Sequence, residues 1–173
     1  MEQTKPVSHV VAGLLIAAAV IVINLILNFT GNSGNTSAGM LMYLVIIIGL
    51  AIMVNRYGKS TNYTQSFGNL FSYGFKATAV FTIMFIIFLI IFNLMFPEFK
   101  EQAMEMARTK LEERGSLSDD EMDKALEISK KYFWIFAIGG TMLGFIIVGA
   151  IGSLLGAAIT KKRPNNPFEQ QLP

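Results

Sequence analysis

Residues 77–96 read ATAVFTIMFIIFLIIFNLMF, twenty residues without a charge. As a helix rising about 1.5 Å per residue, they cover about 30 Å, the thickness of a bilayer's hydrocarbon core. Three further runs of the same kind lie on either side. Val10–Phe29 is again twenty uncharged residues, and Ala38–Val54 is shorter, at 17. Tyr132–Ile159 has 28 residues, longer than the core, so it should tilt or protrude. Of the chain's 173 residues, 53% are hydrophobic and 15% charged, against about 25% charged in an ordinary soluble domain. A water-soluble fold would have to bury four wholly apolar helices inside one small body. The sequence therefore specifies an all-α integral membrane protein, a single membrane domain over residues 1–173 with four transmembrane helices (spans 10–29, 38–54, 77–96 and 132–159). The first span is longer than the apolar core of a secretory signal and reads as a retained helix.

Composition removes several classes of chemistry. There is no cysteine, which excludes disulfides and thiolate ligands, and one histidine, His9, which excludes a histidine metal cluster. A net charge of +2 gives no field for nucleic acid, so no nucleic-acid partner is expected. The phosphate loop GxxxxGK[ST], the zinc motif HExxH and the nucleophile elbow GxSxG are all absent. Asp119, Asp120, Glu121 and Asp123 cluster, but a helix N-terminus favours acids without any catalytic role. The chain reads as no enzyme, with no catalytic residue, metal site or cofactor. No Asp, Glu or Arg lies deep in a span, which argues against an ion-coupled transporter and leaves a passive pore or a lipid-binding groove open.

Basic residues near span ends set orientation. The N-terminal tail has Lys5, the link between spans two and three has Arg56 and Lys59 with Lys76 at the foot of span three, and the C-terminal tail has Lys161, Lys162 and Arg163. The loop 30–37 (TGNSGNTS) carries no charge. Residues 97–131 hold seven basic and ten acidic residues, and Lys130 and Lys131 abut span four against the rule. The basic tail cluster and the uncharged first loop put both termini in the cytoplasm and residues 97–131 on the opposite side. Lys76, Trp134, Lys161, Lys162 and Arg163 are the expected interface anchors. The stretch Tyr63–Phe75 places its apolar residues on one helical face and reads as an extension of span three, the alternative being a helix lying in the interface.

Residues 97–131 predict an extramembrane helical hairpin between spans three and four. Pro97 permits a kink, Glu98–Arg114 is rich in helix formers, and Gly115 suits a C-terminal cap. Ser118 and Glu121 fit a capping box that opens a second arm, Asp119–Lys131, running on into span four. Phe99, Ala103, Met106 and Ala107 form one apolar stripe; Met122, Ala125, Leu126 and Ser129 form another. The stripes either pack on each other or present a face to a membrane or periplasmic protein partner.

Within the bilayer, Gly140, Gly144, Gly152 and Gly156 form two GxxxG pairs on one ridge, and Gly13 and Ala17 offer a small surface on span one. Packing of span one on span four through these residues is expected, with a homodimer as the alternative. Asn24, Asn28 and Asn93 are candidate polar lining of a cavity, or glue between helices.

The order of these features resembles a known family. Tyr63, Phe67 and Tyr73-Gly74-Phe75 lead into span three, Phe96-Pro97-Glu98-Phe99 ends it, a charged hairpin follows, and a glycine-rich last span closes with Thr160-Lys161-Lys162. Together they resemble the domain-of-unknown-function 4199 family, small four-span membrane proteins of Bacteroidota. The resemblance covers nearly the whole chain and implies the inner membrane of a bacterium, with the hairpin in the periplasm. It brings no activity, cofactor or site residue. The expected function is that of a non-catalytic partner-binding or structural subunit of an envelope complex, acting through its hairpin. The alternatives are a small transporter, pore or lipid-handling protein, or an accessory subunit of a membrane enzyme.

Overall fold

Three of the helices open on a polar side chain placed to accept the first free amides, the requirement any helix start imposes. The Ser8 hydroxyl accepts from the Val11 amide at 3.2 Å and opens α1, His9–Phe29. Asn35 Oδ1 accepts from the amides of Ser37 (2.9 Å) and Ala38 (3.4 Å) and opens α2, Thr36–Ser60. Ser66 accepts from the Asn69 amide at 3.2 Å and opens α3, Phe67–Met95. The computed structural model describes residues 6–115 and 118–161. Lys5, Lys162 and Arg163 lie outside them.

The helix α3 is continuous from Phe67, so the stretch before span three is its extension and not a separate interfacial helix. Pro97 follows its end and begins α4, Glu98–Arg114, which stops at Gly115 in the left-handed conformation at φ 59°. The fifth helix, α5, spans Asp119–Lys131. At its start the Glu121 carboxylate accepts from the Ser118 amide and from the Ser118 hydroxyl, each at 2.9 Å. The expectation that this arm runs unbroken into span four is corrected. Tyr132, at φ −106° and ψ 21°, interrupts the helix, and α6, Phe133–Ile159, starts afresh. Two chain-reversing residues between α2 and α3, Asn62 (φ 53°) and Tyr63 (φ 60°), also lie in the left-handed region.

The described residues form six helices and no strand, and α1, α2, α3 and α6 are each long and apolar enough to cross a membrane. Large apolar side chains point outward along all four: Ile26 is 55% exposed, Ile48 55%, Ile83 58% and Leu143 63%. Only lipid makes such a surface tolerable, so the chain is a multi-pass membrane protein in a bilayer.

Around the bundle α1 neighbours α3, α3 neighbours α6, and α6 neighbours α2, which closes on α1. Helices α2 and α3 also meet across the short diagonal, while α1 and α6 stand at opposite corners. The expected packing of span one on span four is therefore corrected. A Cβ added at Gly13 would come within 2.7 Å of the Ala77 carbonyl oxygen and of Val80 Cβ, both on α3. Buried Ala17 belongs to the same core face of α1. The small residues of α6 serve α2 and α3 instead. Gly152 lies against Ile47 and Leu50, Gly156 against Ala51 and Val54, and Gly149 against Thr78.

Burial is concentrated at one end. The buried residues of α1 lie at 12–20, those of α2 at 46–58, and those of α6 at 145–157. On α3 they run from Leu70 to Phe85, with Phe92 beyond. Because α1 and α3 run one way and α2 and α6 the other, all these segments meet at the end where the two tails leave, here the tail end. Three hydroxyls buried there bond back to their own helices: Thr78 to the Gly74 carbonyl (3.0 Å), Ser153 to Gly149 (2.7 Å) and Thr160 to Gly156 (2.6 Å). Toward the far end few residues are buried and the packing opens, although α2 and α6 still carry small residues there, among them Gly39, Ala137, Gly139 and Gly140.

Candidate functional site

The open packing leaves a cleft of about 410 Å³ to which all four spans contribute. Its size falls in the range that holds a small ligand, and its lining is mostly apolar with a few polar groups, the usual make-up of such sites. From α1 comes Asn24; from α2, Met42 and Tyr43; from α3, Phe85 and Leu89. The α6 contribution is Phe136, Ala137, Gly140, Thr141 and Phe145. The cleft ends against the tight core at Phe145. Its ring lies 5.0 Å from that of Phe85 and 5.2 Å from that of Phe81, and all three are buried.

The two GxxxG pairs thus have different surroundings. Gly152 and Gly156 are buried under α2, whereas Gly140 lines the cleft and a Cβ there would meet nothing within 4 Å. Gly144 is intermediate, with the Tyr43 hydroxyl 3.7 Å from such a Cβ. A ridge uniform in sequence is a helix contact along one half and a cavity wall along the other.

Of the three candidate asparagines, only Asn24 lines the cleft. Asn28 donates to the Asn24 carbonyl at 2.8 Å and to the Asn24 side-chain oxygen at 2.9 Å, one turn along the same helix. Asn93 donates to the Leu89 carbonyl of its own helix at 2.9 Å. Both donors are satisfied locally, so neither bridges helices through these bonds. Tyr43 and Thr141 are lining residues that the sequence reading missed. Nothing marks a lone Tyr or Thr in an apolar run until the helices are assembled.

Of the five expected anchors, Lys76, Trp134 and Lys161 are among the described residues, and each stands near the end of an apolar run. Trp134 lies in the first turn of α6, its ring 5.5 Å from that of Phe133. Lys161 is exposed just past α6, and Lys76 is exposed on α3. At the far end Phe99 of α4 joins an aromatic group with Phe29, Phe92 and Phe96, its ring centre 5.7, 5.0 and 6.1 Å from theirs. A Cβ at Gly34, in the loop between α1 and α2, would lie 2.6 Å from the Met106 sulfur. Two members of the first apolar stripe therefore rest on the membrane body, and the stripe does not serve only to pair the arms. Between α4 and α5 a wider cleft of about 730 Å³ is lined by Lys100, Glu101, Arg108, Glu127 and Lys130 around Met104 and Leu126. No residue of α4 or α5 with a described side chain is buried. Among the described residues no three His, Asp or Glu side chains stand close enough to hold a metal ion.

No curated protein and no solved structure matches the chain. A family model described as a protein of unknown function, DUF4199, matches residues 12–162, which takes in all of the first span but its opening residues, the other three spans and both intervening helices. The match covers most of the chain, and the chain belongs to the DUF4199 family.

Proposed function

We propose that this chain is a non-catalytic membrane protein that accommodates a small amphipathic molecule, of lipid or acyl-chain type, in the cleft between its four spans. The observation that carries the reading is the cleft itself: about 410 Å³ with a wall from every span, mostly apolar, with Asn24, Tyr43 and Thr141 as its polar groups. The tight core at the tail end gives it a closed floor. The basic residues Arg56, Lys59 and Lys161–Arg163 and the uncharged loop 30–37 support tails in the cytoplasm. The cleft would then lie in the outer leaflet half of a bacterial inner membrane, with α4 and α5 as a hairpin in the periplasm.

Gly140 gives the test, because it lines the cleft and a Cβ added there meets nothing within 4 Å. A photoreactive phospholipid carrying a diazirine on its acyl chain is supplied to the full chain in vesicles, and its adducts are mapped by peptide mass. Adducts on Met42–Tyr43 and Phe136–Thr141 that disappear in Gly140→Phe are expected. Adducts spread evenly over the exposed faces, unchanged in Gly140→Phe, would sink the reading.

The cleft between α4 and α5 favours a second role for the same molecule, docking of a protein segment by the hairpin in an envelope complex. Its support is a groove of about 730 Å³ with an apolar floor and charged rims on two helices that bury none of their own described side chains. Charge reversal at Lys100 and Arg108 should abolish capture of a crosslinked partner. Capture unaffected by both changes removes this role and leaves the membrane cleft untouched.

A further inference from the structure

At the tail end a second, smaller cleft of about 270 Å³ is lined largely by polar groups, among them His9, Tyr57, Gln65, Asn69, Ser72 and Lys76. Residues 65, 69, 72 and 76 are spaced by four, three and four, so they share one face across the start of α3. Arg56 and Lys59 stand within the last five residues of α2, but Lys76 lies nine residues into α3, about 14 Å along the axis. It directly precedes the uncharged run 77–96 and is exposed, so its ammonium stands at the foot of span three and faces this cleft.

Among the described residues, no carboxylate lines this cleft. Of the chain's acidic residues, all but Glu2 and Glu169 fall between 98 and 127, beyond the opposite end of α3. Among the described residues Lys76 and His9 take part in no side-chain hydrogen bond or ion pair. The Asn69 amide is held by Gln65 at 3.1 Å, and the Tyr73 hydroxyl, also on the cleft, is engaged with the Val7 carbonyl at 3.0 Å. Lys76, His9, Ser72 and Tyr57 keep donor capacity toward the cleft. The parallel N-termini of α1 and α3 add positive dipole ends at the same place.

We propose that this cleft binds a phosphate group, that of an anionic phospholipid, with the Lys76 ammonium as its counter-ion and the neighbouring polar side chains as hydrogen-bond donors. A lipid is the source because Lys76 directly precedes the uncharged run 77–96, and the interface of a bilayer crossed by that run, where a phosphodiester already stands, falls at its foot. The site is separate from the cleft between the spans at the far end.

Native mass spectrometry of the full chain in a non-ionic detergent tests it, with phosphatidylglycerol and phosphatidylcholine of matched acyl chains added in equal amounts. The wild type should retain phosphatidylglycerol in preference, and Lys76→Gln should reduce that preference by about fivefold, the effect of one basic side chain at an anionic headgroup. Lys76→Arg should keep it, and so should Lys110→Gln on α4. The exposed position of Lys76 keeps folding out of the comparison, with helical circular dichroism as the check. Equal retention of the two lipids, or a preference unchanged in Lys76→Gln or in a Lys76→Gln chain also lacking Glu2 and Glu169, overturns the proposal. Displacement of the lipid by millimolar inorganic phosphate would assign the site to the free ion and overturn the lipid source. Gly140→Phe should leave the preference intact, so failure at either cleft is read independently.

Discussion

The Tyr73 hydroxyl donates a 3.0 Å hydrogen bond to the Val7 carbonyl, joining α3 to the residues that lead into α1. The same ring stacks on Tyr57 of α2, with centres 4.2 Å apart and planes 3° from parallel. One side chain thus ties three helices at the tail end. Tyr73→Phe keeps the stack and loses the bond, leaving the Val7 carbonyl without this partner. A loss of about 1 kcal/mol is expected, read as a lower midpoint of thermal unfolding in detergent. An unchanged midpoint would mean that the bond contributes nothing to the bundle.

The two halves of the glycine ridge should respond differently to one methyl group. At Gly156 a Cβ would stand 2.8 Å from Val54 Cβ and 3.0 Å from the Ala51 α-carbon, and backbone cannot rotate away. Gly156→Ala is expected to cost about 1–3 kcal/mol by overpacking. Gly140→Ala meets open space and should leave the unfolding midpoint unchanged or slightly raised, alanine being the better helix former. Equal effects at the two positions would contradict the division of the ridge into contact and cleft.

Thr82 is 5% exposed, and its hydroxyl has no hydrogen-bond partner among the described residues. Valine has the same shape without the polar atom. Thr82→Val should stabilise the protein by about 1–2 kcal/mol, the desolvation cost of an unsatisfied buried hydroxyl. Destabilisation on the same thermal assay would show that the hydroxyl is satisfied in the membrane.

Acid should loosen the start of α5. Hydrogen bonds from the Ser118 amide and hydroxyl hold the Glu121 carboxyl below the usual carboxylate range. A carboxyl depressed in the folded state contributes stability above its unfolded value, about 4.3, and that contribution disappears as pH falls through the folded value. Amide exchange at Met122 and Asp123 should therefore gain protection from low pH up to about pH 5 beyond the intrinsic trend. In Glu121→Gln this extra pH dependence should vanish.

Much of the architecture is readable in one dimension. Four uncharged runs, the caps at Ser118 and Gly115 and the break at Pro97 are local signals, each carried by a few adjacent residues. Helix ends beyond the apolar runs were harder to see. Thr36–Ser60 and Phe67–Met95 both outrun their hydrophobic stretches, because helix continues into the interface as long as backbone bonds are satisfied. The site was barely legible. Asn24 stood out as an amide in an apolar run, but Tyr43 and Thr141 did not. The polar face at Gln65, Asn69, Ser72 and Lys76 had a helical period that could have been found, had its tail-end neighbour His9 been known to lie beside it.

By itself the sequence determined that the chain crosses a bilayer four times, since the cost of exposing or breaking an apolar run depends on that run alone. Only the tertiary structure decided which helices meet. Small residues permit close approach on any side, and Gly13 found Ala77 and Val80 of α3 where a partner on α6 was expected. Which half of the Gly140–Gly156 ridge is filled and which is open follows from how four helices pack closely at one end and openly at the other. That is a property of the assembled bundle, and no single span contains it.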